Sequence, residues 1–219
     1  MEWHLLENIP FAVDEKDFLA HMRVKADSGR QASCRKVLVA AQAQARPRAV
    51  YVPARIEALD ETGMTVAGRR FTSSLFAPRL QSGEEIYFFL ATCGVEIAAW
   101  SGSFRDDLLK SYWADCLAEL ALRAARAALE EALRPFIADE YVAAMDPGSL
   151  AEWPISEQQP LFALMGGAAH ACGVSLNEQC MMQPQKSVSG FYFSSSEEYY
   201  NCALCPRLRC SQRRVAFAG

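Results

Sequence analysis

The sequence predicts a globular protein in which helices pack around a β-sheet. Three patterns support this class: helical periodicity in residues 14–45, strand-like alternation in residues 49–68, and a long helical pattern after an apolar run at 85–93. With 219 residues, 51% of them hydrophobic and 22% charged, the chain has the composition of an ordinary globular protein. A chain of this length buries roughly 70% of its unfolded surface, so it supports a full hydrophobic core.

Two helices are predicted before the first strand. Asp14 is a good N-cap for the first, which should run to a stop at Ser28 and Gly29. The second should cover residues 32–45 and end before Pro47. We therefore expect residues 1–47 to form a helical hairpin packed on a main domain of residues 48–219, with both parts in one structural unit.

A β-hairpin and a central strand are predicted next. Residues 49–68 alternate around a turn at 60–63, as in a hairpin. Residues 85–93 are almost continuously apolar, which suits a strand buried on both faces. That strand should lie at the centre of the sheet.

The longest predicted helix covers residues 103–135 and ends at Pro135. It carries two neighbouring apolar rows and a series of alanines that would allow close approach to the sheet. The rows are Leu108, Tyr112, Cys116 and Leu120, and Leu109, Trp113 and Leu117. A short strand at 141–145, a turn at 146–149 and a helix with a capping box of Ser156 and Gln159 should follow.

Several classes of protein are disfavoured by composition and by missing motifs. No run is apolar enough to cross a membrane, and the net charge of −4 argues against a nucleic-acid partner. The N-terminal residues carry no secretory signal, so we expect a cytoplasmic protein. The glycine-rich phosphate-binding motifs are missing and the three histidines are isolated, which makes a histidine-based catalytic site improbable.

A cluster of cysteines near the C-terminus is the first candidate site. Cys202, Cys205 and Cys210 can converge on one zinc ion or iron–sulfur cluster, with Cys180 or Cys172 as the fourth ligand. The alternative is a set of reduced loop cysteines or a labile disulfide. The other cysteines are expected to be reduced core thiols: Cys34, Cys93, Cys116 and Cys172.

A strand at residues 187–193 is the second candidate. Alternation places Ser187, Ser189, Phe191 and Phe193 on one face, and Val188, Gly190 and Tyr192 on the other. Gly190 would permit the close approach of a ligand or of another backbone.

A family resemblance rests on this strand and on the residues before it. Residues 173–184, followed by 186–193, contain Leu-Asn-Glu-Gln, Met-Gln-Pro and Ser-Val-Ser-Gly-Phe-Tyr-Phe. They resemble the Leu-Thr-Glu-Ser, Met-x-Pro and Ser-Val-Ser-Gly-x-Tyr-Phe motifs of the activation domain of cobalamin-dependent methionine synthase. This resemblance implies an α+β fold, with a helmet-like antiparallel sheet flanked by helices. It also implies a role in restoring methylcobalamin from inactive cob(II)alamin with an electron and the methyl group of S-adenosylmethionine.

The resemblance also implies a set of ligand-binding residues: Pro147, Gly148, Glu178, Ser189, Gly190 and Tyr192. The family turn reads Arg-Pro-x-Pro-Gly-Tyr, and its arginine contacts the ligand carboxylate. Here Ala144 stands at the arginine position and Ser149 at the tyrosine position. The expected cofactor is S-adenosylmethionine, with the cobalamin held by a partner protein.

Together these patterns favour a stand-alone reactivation protein that acts in trans on a corrinoid enzyme, whose cobalamin-binding module is the expected partner. The alternative is a non-catalytic module that binds zinc or an iron–sulfur cluster and keeps a vestigial ligand cleft. In a third interpretation residues 202–214 contact nucleic acid, which the acidic net charge disfavours.

Overall fold

The fold is a mostly antiparallel sheet with helices on both faces, as the sequence predicts. A computed structural model describes residues 1–25, 29–137, 141–207, 209, 213 and 215–218. Its strands are β1 (His4–Leu6), β2 (Arg48–Asp60), β3 (Gly63–Val66), β4 (Arg69–Thr72), β5 (Glu85–Thr92), β6 (Tyr141–Met145), β7 (Ser175–Leu176), β8 (Met182–Gln183) and β9 (Ser187–Ser195). The main sheet has the order β4-β3-β2-β5-β9-β6, with β1 paired to β2, while β7 and β8 form a separate pair.

Helices fill the connections between the strands. They are α1 (Glu15–His21), α2 (Gly29–Gln44), α3 (Val95–Gly102), α4 (Leu108–Leu133), α5 (Gln158–Met165), α6 (Gly167–Cys172) and α7 (Asn201–Leu204), with a 3₁₀ turn at Ile155–Glu157 before α5. In the described part of the chain, none of these helices is both long enough and apolar enough to cross a membrane.

The central strand and the hairpin are confirmed. β5 pairs antiparallel with both β2 and β9, and every residue after Glu85 in this strand is buried. β2 and β3 pair around a turn in which Asp60 faces Gly63. The strands β1 and β4 were not predicted, because three or four residues carry too little alternation to distinguish a strand from a loop.

The two faces of the sheet bury different helices. On one face, Phe88 and Phe191 pack in a core that includes Leu161 of α5 and Ala168 of α6. On the other face, Phe89 packs in a second core with the C-terminal half of α4. Burial of apolar surface on both sides stabilises the sheet and fixes the position of α4 across it.

The N-terminal helices pack around the first half of α4. A third core joins residues of α1, α2 and α3 to Trp113 of α4. Asp14 caps α1 as predicted, because its carboxylate accepts a hydrogen bond of 2.9 Å from the amide of Asp17. The helix ends at His21, earlier than predicted, and the expected stop at Ser28 lies outside the described residues. The division of the chain at residue 47 stays a prediction.

The predicted helix over 103–135 is shorter than expected, and one of its apolar rows is misplaced. α3 ends at Gly102, and α4 begins after Asp107, whose carboxylate accepts a 3.0 Å hydrogen bond from the amide of Lys110. Leu108 is 85% exposed and Tyr112 is 56% exposed, because the packing partners of α4 begin only at Trp113. The buried face consists of Trp113, Ala114, Leu117, Ala118, Ala121, Ala125, Leu129 and Leu133.

The start of α5 also differs from the prediction. The chain enters α5 through the 3₁₀ turn, so Ser156 lies inside that turn and not at an N-cap. The N-cap of α5 is Glu157, which makes no side-chain capping bond. The predicted capping box is therefore wrong, whereas the predicted end of the helix at Gly166 is confirmed.

Candidate functional site

The candidate site is a cleft of about 940 Å³ at one edge of the sheet. One side is built by α4, β6, the turn that follows β6, and β9. The opposite side is built by the C-terminal residues 199–207 together with Phe217. Clefts of this size that mix apolar and charged lining residues are typical of small-molecule sites.

The turn after β6 holds one wall of the cleft. The amide of Ser149 donates a 3.2 Å hydrogen bond to the carbonyl of Asp146, and the amide of Gly148 donates a 2.7 Å bond to the carbonyl of Trp153. Gly148 has a φ of +82°, which suits the third position of a type II turn. A side chain at this position would also lie 2.7 Å from the Cδ1 atom of Ile155. Both predictions, the strand at 141–145 and the turn at 146–149, are confirmed.

The two faces of β9 contact different parts of the molecule. Phe191 and Phe193 point into the core on the α5 side of the sheet, and by alternation Ser189 shares that face. Tyr192 packs on the opposite face with the residues of α4 and lines the cleft. Ser189 and Tyr192 therefore do not face the same space.

Gly190 makes room for another part of the backbone. A Cβ atom at this position would overlap the carbonyl oxygen of Met145 and would lie 2.9 Å from Oδ1 of Asp146. Of the two predictions for this glycine, close approach of a neighbouring backbone is the one seen. The glycine thus lets the end of β6 and the turn rest directly on β9.

A charged cluster forms the floor of the cleft, and we call its four members the cleft floor: Arg126, Glu130, Asp146 and Tyr192. The Nε atom of Arg126 donates a 3.2 Å hydrogen bond to the hydroxyl of Tyr192, and Nη1 donates a 3.4 Å bond to Oδ2 of Asp146. The Tyr192 hydroxyl in turn donates a 3.1 Å bond to Oε1 of Glu130. Arg126 Nε lies 3.5 Å from the same oxygen.

Electrostatics keep Arg126 charged and Tyr192 neutral near neutral pH. Burial alone would lower the pKa of Arg126, but the carboxylates of Asp146 and Glu130 and the Tyr192 hydroxyl raise it, so the guanidinium stays charged. Burial raises the pKa of Tyr192, and the effect of Glu130 adds to it, while Arg126 opposes both. The tyrosine is therefore a neutral hydrogen-bonding group.

The guanidinium of Arg213 bonds to several backbone carbonyls of the C-terminal wall, residues 199–207. Arg213 Nη1 donates hydrogen bonds of 2.7 and 3.2 Å to the carbonyls of Cys202 and Val215, and Nη2 donates bonds of 2.8 and 2.7 Å to those of Cys205 and Arg207. Four backbone acceptors on one side chain tie this segment together. Tyr199, whose pKa burial raises to about 12, anchors its start.

The six predicted ligand-binding residues are only partly brought together. Gly148 and Tyr192 line the cleft. Pro147 is the second residue of the turn, and Glu178 is exposed in the loop after β7. As ligand contacts all six remain predictions.

Residues that sequence analysis missed complete the cleft, above all Arg126 and Glu130. Their only signal in the sequence is two charged residues four positions apart in an alanine-rich helix, the usual pattern of a surface ion pair. The packing of α4 on the sheet turns that pair toward β6.

The cysteines are distributed over two regions. Cys202 and Cys205 lie on the C-terminal wall and line the cleft. Cys180 is buried elsewhere, where its sulfur accepts a 3.3 Å hydrogen bond from Nε2 of Gln159. No group of three side chains suited to a metal occurs among the residues with described positions, and Cys210 lies outside them. The predicted metal site therefore stays a prediction.

The predicted core thiols are free cysteines, as expected. Cys34, Cys93 and Cys172 are buried, and Cys116 is half-buried. Burial raises the pKa of both Cys93 and Cys172 to about 12. These thiols act as small apolar side chains within the core.

Comparisons with known proteins point to one family. Residues 73–212 match the family described as vitamin B12 dependent methionine synthase, activation domain. None of the curated proteins matches the chain. Among solved structures, the crystal structure of the MetH reactivation domain bound to AdoHcy is similar, with a TM-score of 0.58 and 17% sequence identity, over 91% of this chain and 80% of that chain. At this identity the likeness shows a shared fold.

Proposed function

We propose a reactivation role for this chain, which belongs to the family of vitamin B12-dependent methionine synthase activation domains. In this proposal it binds S-adenosylmethionine in the cleft and docks on the cobalamin-binding module of a separate corrinoid enzyme, of which methionine synthase is the first candidate. The chain then acts in trans, as a stand-alone reactivation protein.

The observation that carries this proposal is the cleft floor. Tyr192 comes from the motif on which the family resemblance rests, and it lies beside the partly buried guanidinium of Arg126 in a cleft of about 940 Å³. This volume is ample for an S-adenosyl ligand. The solved structure that shares the fold is described as bound to AdoHcy, the product that S-adenosylmethionine leaves after losing its methyl group.

The chemistry at cobalt belongs to the cofactor of the partner. Bound to its own module, the corrinoid accepts one electron and the methyl group of S-adenosylmethionine, which restores methylcobalamin and releases AdoHcy. This chain contributes binding and orientation of the methyl donor. The buried cysteines Cys34, Cys93 and Cys172 are free thiols, which supports a reducing compartment such as the cytoplasm.

Reactivation in trans gives the direct test. A methionine synthase that lacks its own activation domain is trapped in the cob(II)alamin state and mixed with this chain, an electron donor and S-adenosylmethionine. We expect turnover to return only when both the chain and the methyl donor are present. The variant Arg134→Met, which changes a 66% exposed side chain outside the cleft, should act like the native chain. No recovery over the methyl donor alone would contradict the proposal.

A metal site in the C-terminal wall is the second candidate function. Cys202 lies in α7 and Cys205 directly follows that helix, and both line the cleft, so with Cys210 they offer three thiolates to zinc or an iron–sulfur cluster. We propose that an iron–sulfur cluster held by these thiolates passes an electron to a corrinoid docked at the cleft. The alternative is a purely structural centre beside a vestigial cleft.

Metal analysis after anaerobic purification separates these possibilities. We expect stoichiometric iron or zinc in the native chain and its loss in a Cys202→Ser, Cys205→Ser variant. The matched control is Cys116→Ser, which changes a half-buried thiol outside the wall. Iron gives a visible absorption band that bleaches on reduction, whereas zinc gives none and indicates a structural centre. A colourless protein that is free of both metals would exclude the second candidate.

A further inference from the structure

The cleft floor contains a cation whose hydrogen-bonding capacity is incompletely used. The Arg126 side chain is only 23% exposed, and its two hydrogen bonds, of 3.2 and 3.4 Å, are long for a charged donor. Among the described residues, no hydrogen bond or ion pair involves its second terminal nitrogen, Nη2. A partly buried guanidinium that lines a cleft and keeps an unused donor is a site for an anionic group.

The neighbours of this cation are carboxylates, and this decides which anion fits. Three carboxylates, those of Glu130, Asp146 and Glu152, line the same cleft and outnumber the guanidinium groups of Arg126 and Arg207, with Glu130 and Asp146 nearest to Arg126. A simple anion would gain from the guanidinium but would be repelled by both carboxylates. A group that carries one negative and one positive charge side by side gains from all three. The α-amino-acid end of a ligand is such a group.

We propose that the cleft floor is an amino-acid head-group site, in which Arg126 binds the α-carboxylate of the ligand and Glu130 accepts hydrogen bonds from its α-ammonium. This inference rests on the proposed function, because it concerns the methionine portion of the S-adenosyl ligand. It assigns carboxylate recognition to α4, whereas the family resemblance would assign it to the turn after β6.

The position of Ala144 agrees with this assignment. Ala144 pairs with Tyr192 in the register of β6 and β9, and both residues line the cleft. The alanine occupies the arginine position of the family turn and offers no charge there. The guanidinium of Arg126 lies in this part of the cleft, 5.9 Å from the ring centre of Tyr192 and 5.8 Å from that of Phe89. The helix thus supplies the cation that the turn does not.

Aromatic contacts hold the guanidinium in place. Both rings belong to the central strands β5 and β9, and their contact with Arg126 limits its rotation. The hydroxyl of Tyr192 engages Nε and the carboxylate of Asp146 engages Nη1, so Nη2 is the nitrogen that no described residue engages. An arginine held in this way offers Nη2 to a carboxylate at a low entropic cost.

Three ligands test the head-group site by calorimetry. They are S-adenosylmethionine, its decarboxylated analogue, which keeps the ammonium but lacks the carboxylate, and 5′-methylthioadenosine, which lacks both. The native chain should bind S-adenosylmethionine about 10- to 100-fold more tightly than the decarboxylated analogue, the range expected for one charge-assisted pair. In Arg126→Met this preference should disappear, while binding of methylthioadenosine should not change.

Two further variants keep the test valid if Arg126→Met does not fold. Arg126→Lys keeps the charge without the planar fork, so it should retain part of the preference for the carboxylate. Glu130→Gln should weaken the binding of S-adenosylmethionine and of its decarboxylated analogue, because both carry the ammonium. The binding of methylthioadenosine should not change. The control Arg134→Met should bind all three ligands with the affinities of the native chain.

The outcomes separate this inference from the proposed function. If the native chain binds S-adenosylmethionine and methylthioadenosine equally, or if Arg126→Met or Arg126→Lys keeps the full native preference for the carboxylate, the head-group site is wrong and the adenosyl-binding function stands. If the native chain binds none of the three ligands, both fail.

Discussion

At the scale of single residues, Gly190 connects the family motif to the shape of the cleft. Its missing side chain lets the carbonyl of Met145 and the carboxylate of Asp146 lie directly against β9. The sequence indicates that some close approach occurs at this glycine. It does not identify the partner, because Met145 precedes the glycine by 45 positions and reaches it only through strand pairing.

Gly190→Ala should destabilise the fold. The new methyl group overlaps backbone atoms that cannot rotate away, so β6 has to move from β9. We expect the free energy of unfolding, measured by urea denaturation, to fall by about 1–3 kcal/mol. The matched control is Gly102→Ala, at the end of α3, where nothing lies within 4 Å of the added atom. Equal free energies of unfolding for the two variants would show that β6 can shift without loss of stability.

Tyr192 and Arg126 mark the limit of residue-level prediction. Tyr192 belongs to a recognisable motif, and the sequence places it correctly on the face opposite Phe191 and Phe193. Arg126 belongs to no motif. Its proximity to Asp146, 3.4 Å between the closest atoms, depends on how a helix crosses the sheet, and local patterns do not contain this information.

At the scale of elements, α4 is the helix on which the site depends, because its C-terminal half carries both Arg126 and Glu130. The sequence correctly predicts that alanines bring this helix close to the sheet: Ala121 and Ala125 are fully buried. It is wrong about the first turns, where Leu108 and Tyr112 are exposed. Periodicity identifies the apolar faces of a helix, but it does not show where along the helix the neighbouring elements begin.

Ala125→Leu tests the close approach of α4. The larger side chain has to fit into the core between this helix and the sheet, next to Arg126, so it should push the helix outward. We expect a loss of about 1–3 kcal/mol in the free energy of unfolding and weaker binding in the cleft. Ala127→Leu, on the exposed side of the same helix turn, should change stability by less than about 0.5 kcal/mol. If both variants behave alike in thermal and urea unfolding, the helix is not tightly packed at Ala125.

At the scale of the whole molecule, the strands β2, β3, β5, β6 and β9 and most of the helices follow from the sequence, and the order of the strands does not. Residues 85–92 are continuously apolar, so their central place in the sheet is predictable. On one side β5 pairs with β2, and only the strands β3 and β4 lie between them in the chain. The neighbour on the other side, β9, comes from the far end of the sequence and is known only from the fold. The cleft depends on this pairing, as does the C-terminal wall that follows β9.

The pairing of β5 with β9 has a kinetic consequence for the cleft. Thr92 and Ser187, whose hydroxyls form a 2.9 Å hydrogen bond across the two strands, are 95 positions apart in the chain. Closing so long a segment costs conformational entropy before any contact compensates for it, which slows folding. The cleft floor joins α4, β6 and β9, so it exists only after this closure. The cleft therefore forms late in folding. A ligand bound there slows unfolding, but it does not speed up the folding steps that come before the cleft has formed.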